Sequence, residues 1–292
     1  MALNFERVTF DEYLDRALNG EPPEGSRARG NRGTRRSGES SFYGVRSWAE
    51  ATKLVNDGWE EGREYVGKIL SDIQVADNYV NKAKVVHDVV GAFVDMGAFV
   101  AGEPECMMRR VKKPVKRKVA RILVGLSASC AISAETLRWR GAAALALIDR
   151  LEETGIRCEV DMGLCNHVRA SYWTIVANVK GASEPLHLDR MAFHLAHPAS
   201  LRKIMWSFAE ASDAKLANQH SFNGNGHYGM PVSEIGQHLP ESEQYDLVVP
   251  GLQLRTVEEA IKKIEEMFAI VCNRTTLFES GPNRETDDDF DF

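Results

Sequence analysis

The chain has 292 residues, 43% of them hydrophobic and 27% charged, with a formal net charge of −6. That is enough apolar material for one large core or two modest ones, and it excludes a wholly disordered chain. Nowhere does an apolar run reach the length of a bilayer-spanning helix, and Glu6 and Arg7 stand where a signal peptide needs an apolar core, so a cytoplasmic protein without a membrane partner is expected. The five cysteines (Cys106, Cys130, Cys158, Cys165, Cys272) are odd in number and lack a C-x-x-C pair. Reduced thiols are the expected state.

Charge is segregated along the sequence. Arg27, Arg29, Arg32, Arg35 and Arg36 lie without an acid among Gly, Ser, Asn and Thr. This composition predicts a disordered basic arm over residues 1–40, beginning with a short amphipathic segment, Phe10 to Leu18. Order is expected from Phe42. Ser47 reads as an N-cap with Glu50 at the capping-box position, Gly58 ends that helix, and a second helix spans Trp59 to Leu70. Val85 to Val100 reads as strands, and Gly102-Glu103-Pro104 as a turn. Residues 41–108 then form a helical and strand segment packed on the main domain. A second basic run follows: Arg109, Arg110, Lys112, Lys113, Lys116, Arg117, Lys118 and Arg121, again without an acid.

The main domain is placed at residues 109–278. Val119 to Leu126 reads as a strand, and the helix after it is capped by Ser133, continues through Arg140 to Glu153 and stops at Gly155. Ile156 to Met162 is the next strand. A helix of this length joining two apolar strands is a βαβ unit, which implies a parallel sheet covered by helices on its faces. Trp173 to Val179 adds a strand, Met191 to Ala211 reads as helix broken at Pro198, Asp246 to Val249 as a strand and Thr256 to Val271 as a helix. The fold class is α/β, a mostly parallel sheet flanked by helices, Rossmann-like in its alternation. Residues 279–292 are an acidic tail, with Asp287, Asp288, Asp289, Phe290, Asp291 and Phe292 at its end.

Several constellations invite chemistry. Cys158, Asp161, Cys165 and His167 lie close together, but their spacing matches no zinc finger or ribbon, and buried thiols are the better reading. His194 and His197 share a helical face only if His197 stays helical before Pro198. Asn223 to Gly229 resembles a functional loop, with His227 and Tyr228 as its reactive groups, although a plain surface loop is favoured. The two basic runs can neutralise phosphates, and Phe42, Trp48, Trp59 and Tyr65 can stack on bases or else fill a core.

Three resemblances add to this. Val124-Gly125-Leu126-Ser127-Ala128-Ser129 resembles the first metal-binding loop of von Willebrand factor A domains, Asp-x-Ser-x-Ser, with Gly125 in the place of the aspartate. The resemblance implies a degenerate magnesium site at Ser127 and Ser129, and the alternative is that both hydroxyls shape the loop. Over 42–271 the chain resembles an uncharacterised family of tailed-bacteriophage proteins, through Ser47-Trp48-Ala49-Glu50-Ala51, Gly58-Trp59-Glu60-Glu61-Gly62, Gly102-Glu103-Pro104-Glu105-Cys106-Met107 and Arg140-Gly141-Ala142-Ala143. The tail resembles the acidic, Phe-ended tips of single-stranded-DNA-binding proteins, which implies phage or host replication proteins as partners. Together these predict a non-enzymatic binding protein without a cofactor. Its basic residues contact single-stranded nucleic acid and its tail recruits a partner. A von Willebrand A type interaction scaffold, or an enzyme using Asp161, His167 and His227 at the strand ends, are the alternatives.

Overall fold

The computed structural model describes residues 2–29, 33–36, 38–72, 84–111, 119–168, 170–220, 230–251 and 256–277. Its elements run β1 (Ala2–Val8), α1 (Phe10–Leu18), α2 (Ser40–Tyr43), α3 (Trp48–Asp57), α4 (Gly62–Asp72), β2 (Lys84–Asp88), β3 (Phe93–Val94), α5 (Met96–Val100), β4 (Met107–Val111), β5 (Val119–Gly125) and α6 (Ala134–Glu153). They continue with β6 (Arg157–Val168), β7 (Ser171–Lys180), α7 (Leu188–Ala196), a π-helical stretch Ser200–Met205, α8 (Trp206–Glu210), α9 (Ala214–Gln219), β8 (Met230–Pro231), β9 (Leu247–Val249) and α10 (Val257–Leu277).

The architecture is α/β. Its central sheet has the order β1-β7-β6-β5-β9, with β8 paired to β6. The pairs β1–β7, β5–β6 and β5–β9 are parallel, while β6–β7 and β6–β8 are antiparallel. Local signals place the ends of the crossover helix α6: Ser133 accepts a hydrogen bond from the Thr136 amide at 3.0 Å, and Gly155 leaves the helix at φ 89°. Ser47 caps α3 as expected, but Glu50 reaches past it to the Arg46 amide at 2.8 Å.

Three expectations are corrected. The described residues of 1–40 do not form a disordered arm: β1 is the edge strand of the central sheet, registered from Ala2 on Ser171 to Val8 on Ala177, and Thr9 with Glu12 forms a capping box on α1. Composition cannot detect this, because the pairing partner lies about 170 residues on. Met96 to Val100 is helix rather than strand, since Asp95 takes the amides of Gly97 and Ala98 and starts α5. The strand after Ile156 continues to Val168 and turns straight back into β7, a connection too short for a parallel crossover.

Among the described residues, the α-helices cover one face of the sheet, and the other face carries a single 3-10 turn, Ile235–His238. Ala120, Ile122, Val124, Val160, Met162, Ile175 and Ala177 belong to the large core beneath α1, α3, α4, α6, α7, α8 and α10. The opposite face carries a smaller cluster, Leu123, Cys165, Val176 and Ile235, covered by the segment between β8 and β9. Two glycines in register, Gly125 and Gly163, create its seat. A side chain at Gly163 would collide with Ile235, and one at Gly125 would sit 3.2 Å from the Val249 carbonyl and 3.3 Å from Ile235. At the other end of this face, Arg7 and Tyr245 meet the fully buried Asp161 at 2.9 and 2.7 Å, with Arg121 at 3.6 Å, and Glu243 accepts both arginines. This ion network ties the covering segment to β1, β5 and β6.

Residues 84–111 form a separate three-stranded sheet, ordered β2-β4-β3, whose described side chains join neither core cluster. Among the described residues, no helix is long and apolar enough to cross a membrane.

Candidate functional site

The loop after β5, where the metal-site resemblance falls, is held from inside. Ser127 is buried; its hydroxyl donates to the Cys165 carbonyl at 2.9 Å and accepts from the Cys165 amide at 2.8 Å, which extends the β5–β6 ladder by one rung. Arg140, buried on α6, donates to the carbonyls of Leu126 at 2.8 Å and Ser127 at 3.1 Å. Arg202, from the π-helical stretch, donates to Ile132 at 2.5 Å and to Phe42 at 2.6 Å. Burial pushes both guanidinium values down to about 10, and the Arg202 charge lowers Arg140 further toward that value. Ser129 accepts from the Ala131 amide at 3.3 Å.

A magnesium ion wants several oxygen ligands, usually including a carboxylate. Here the only buried hydroxyl is engaged twice by main chain, glycine replaces the carboxylate, and two guanidinium groups hold the loop's carbonyls. The residues at Ser127 and Ser129 do not fit a cation. Among the described residues, no group of three or more His, Cys, Asp or Glu is placed to hold a metal ion.

The other chemical candidates are dispersed or consumed. Asp161 and His167 lie six residues apart along β6, roughly 20 Å at the rise of a strand, and Asp161 is saturated by Arg7, Asn178 and Tyr245. His227 and Tyr228 lie outside the described residues. Burial raises the Cys158 thiol to about 12 and the Cys165 thiol to about 11, so neither is a thiolate near neutrality. His194 and His197 pack among Phe10, Tyr13, Trp59 and Phe193, and burial depresses both to about 3. The aromatics offered for base stacking belong to the core: Trp59 is buried, and Phe42, Trp48 and Tyr65 pack against its edge.

The first basic run is placed differently from a tail. Ala28 and Thr34 are fully buried and Ser26 nearly so, while Arg27 and Arg29 turn outward between them. The loop is fastened to distant elements: Asn218 accepts from the Arg27 amide at 2.9 Å and donates to the Gly25 carbonyl at 2.8 Å. Thr34 donates to the buried carboxylate of Glu210 at 2.6 Å. Lys203, fully buried, donates to the carbonyls of Thr34 at 3.1 Å and Arg36 at 2.9 Å. Arg35 is partly spent on the fold, donating to the Leu18 carbonyl at 2.7 Å and lying 5.3 Å over the Trp48 ring. Arg27 and Arg29 make no ion pair among the described residues, and Arg36 is exposed.

The second basic run is brought into this arrangement only in part. Arg109 lies on β4, paired with Asp88 at 2.6 Å, and Arg121 is in the ion network on the sheet. Arg110 is on β4 without a described side chain; Arg32, Lys112, Lys113, Lys116, Arg117, Lys118 and the tail residues Asp287 to Phe292 lie outside the described residues. A cleft of about 630 Å³ between α3 and α4 is lined by five acids (Glu50, Asp57, Glu60, Glu61, Glu64) against two bases (Lys53, Arg63), a net negative lining that disfavours a phosphate chain.

The anchoring cations Arg140, Arg202 and Lys203 were not singled out by the sequence. Their only signal is a basic pair, Arg202-Lys203, set between Leu201 and Ile204-Met205 in an otherwise apolar run.

Fold and site together define an α/β protein with one helix-covered sheet face, an outward arginine loop and no assembled catalytic group among the described residues. The chain belongs to the family described as a domain of unknown function (DUF7192), whose model matches residues 8–271. No curated protein and no solved structure matches it. The family match includes the arginine loop, in keeping with its integration into the fold.

Proposed function

We propose that this chain is a non-enzymatic, nucleic-acid-associated binding protein that engages the phosphate backbone of a single strand through the loop carrying Arg27, Arg29 and Arg36. One observation carries the reading: buried anchors alternate with outward, acid-free arginines at Ala28 and Thr34 against Arg27 and Arg29. A guanidinium held on a fixed loop loses less entropy on binding than one on a free tail. The lysines and arginines of 112–118 extend the same chemistry, and the acidic tail recruits replication proteins of a phage or its host. The sheet order, with β9 beside β5 and the antiparallel β7 beyond β6, supports the von Willebrand A resemblance of the scaffold, without its metal.

The test is fluorescence anisotropy of labelled oligothymidine against the whole protein at low salt. Binding that falls at least tenfold in Arg27→Ala/Arg29→Ala is expected; absence of binding, or indifference to the substitution, removes the reading. A second reading, an interaction scaffold working through the loop after β5, is favoured by the rigid hold of Arg140 and Arg202 on that loop. Partners captured from cells should then survive nuclease treatment.

A further inference from the structure

We propose that the unit formed by residues 84–111 is a homodimerisation surface, on which the same unit of a second copy packs. Val89, Val90, Phe93, Met96, Phe99 and Val100 are between 59% and 81% exposed, and they are six of the eleven large hydrophobic side chains exposed among the described residues. Met96, Phe99 and Val100 stand at i, i+3 and i+4, one face of α5. This display is built rather than frayed. Asp95 caps α5 through the amides of Gly97 at 2.9 Å and Ala98 at 3.2 Å, holds His87 at 2.9 Å, and gives its own amide to the Cys106 carbonyl at 2.7 Å. The Ala92 amide closes the hairpin on the Met108 carbonyl at 3.0 Å.

Area and charge select the occupant. Taking about 150 Å² for a fully exposed valine and about 200 Å² for phenylalanine or methionine, these six side chains expose on the order of 700 Å². A standard interface hides roughly 800 Å² per partner, so the apolar area this unit exposes is of the size a dimer contact covers. Across 84–111 the charges are four acids (Asp88, Asp95, Glu103, Glu105) and three bases (Lys84, Arg109, Arg110). Within 84–111 that mixture lacks the excess of bases that an anionic membrane or nucleic acid calls for; in this part of the sequence that excess belongs to the run Lys112 to Lys118 that follows. It suits a copy of itself: in a two-fold contact each patch meets its own kind, and the exposed pair Asp88–Arg109 offers both signs to its mate. The order β2-β4-β3 leaves β2 at an edge, and antiparallel pairing of β2 with its symmetry mate is the ladder a two-fold axis permits. The proposal is independent of nucleic-acid binding.

Sedimentation equilibrium of the full chain over a wide concentration range tests it. The expected mass is that of two copies, shifting to one copy in Phe93→Asp/Phe99→Asp and in the milder Val100→Arg, with far-ultraviolet circular dichroism unchanged. Dissociation constants should weaken at least a hundredfold. A one-copy mass at every concentration overturns the proposal, as does a dimer that survives both variants. Co-sedimentation of a one-copy protein with phosphatidylserine vesicles would overturn it in favour of a lipid surface.

Discussion

Arg140 has no carboxylate partner among the described residues, yet its guanidinium is buried and holds two carbonyls of one loop. Burial opposes the charge and pushes its value down to about 10, so it stays protonated at neutrality and the two hydrogen bonds offset the desolvation. Replacing it with leucine leaves the Leu126 and Ser127 carbonyls without their donors inside the protein. Arg140→Leu should therefore cost about 2–4 kcal/mol in chemical denaturation, by the penalty for buried unsatisfied acceptors. An unchanged midpoint would mean that water or another donor replaces the guanidinium. His194 sits at the opposite extreme, buried with neither ring nitrogen hydrogen-bonded and edge-on to Phe10 and Phe193. One of those nitrogens carries a proton with no acceptor, an arrangement that costs free energy even when the ring is neutral.

At the scale of elements, the covering segment between β8 and β9 rests on a shape match. Ile235 occupies the space left by Gly125 and Gly163, which stand side by side on β5 and β6. Gly163→Val should overpack this seat, displace Ile235 and destabilise by about 1–3 kcal/mol. Ile235→Ala in the same chain should recover part of that loss, so the two changes should be strongly non-additive in a double-mutant cycle. Additive losses would show that Ile235 does not rest on the glycine. The same match explains why Gly125 stands where the metal-site resemblance expects aspartate, because a side chain there meets the Val249 carbonyl and Ile235.

Elements whose signals are local were readable in the sequence: the Ser47 and Ser133 caps, the Gly58 and Gly155 stops, the β5 run and the break near Pro198 all fall where local chemistry puts them. What was not readable depends on distant partners. Nothing within Ala2 to Val8 announces that its mate is β7, and nothing within Arg27 to Arg36 announces Lys203, Glu210 or Asn218. A polar, glycine-rich stretch reads as disorder until the groups that satisfy its main chain are known. The β6–β7 hairpin is a different case. The strands expected at Ile156–Met162 and Trp173–Val179 leave about ten residues between them, and only their extension to Val168 and Ser171 shrinks the connection to a turn that demands antiparallel pairing.

Over the whole molecule, buried histidines set the response to acid. Burial holds His194 and His197 at about 3 and His220 at about 4, below the ordinary 6.5. The unfolded chain thus takes up protons first as pH falls, so stability is full above about 6.5 and drains away toward pH 3–4. Denaturant midpoints should fall steadily from pH 7 to pH 4.5, and His194→Phe should flatten that decline. A midpoint indifferent to pH across this range would contradict the burial of these rings.

The integration of the N-terminal residues has the largest functional consequence, since it turns a presumed floppy arm into a loop that presents Arg27 and Arg29 at fixed positions. The salt dependence of single-stranded DNA binding reports directly on how many phosphates that loop neutralises. The logarithm of the binding constant against the logarithm of salt concentration should fall linearly, with a slope near −0.7 for each phosphate contacted on a single strand. Removing Arg27 and Arg29 together should make that slope shallower by about 1.4 while leaving the thermal midpoint in place. An identical slope in the wild-type and doubly substituted proteins would contradict the account.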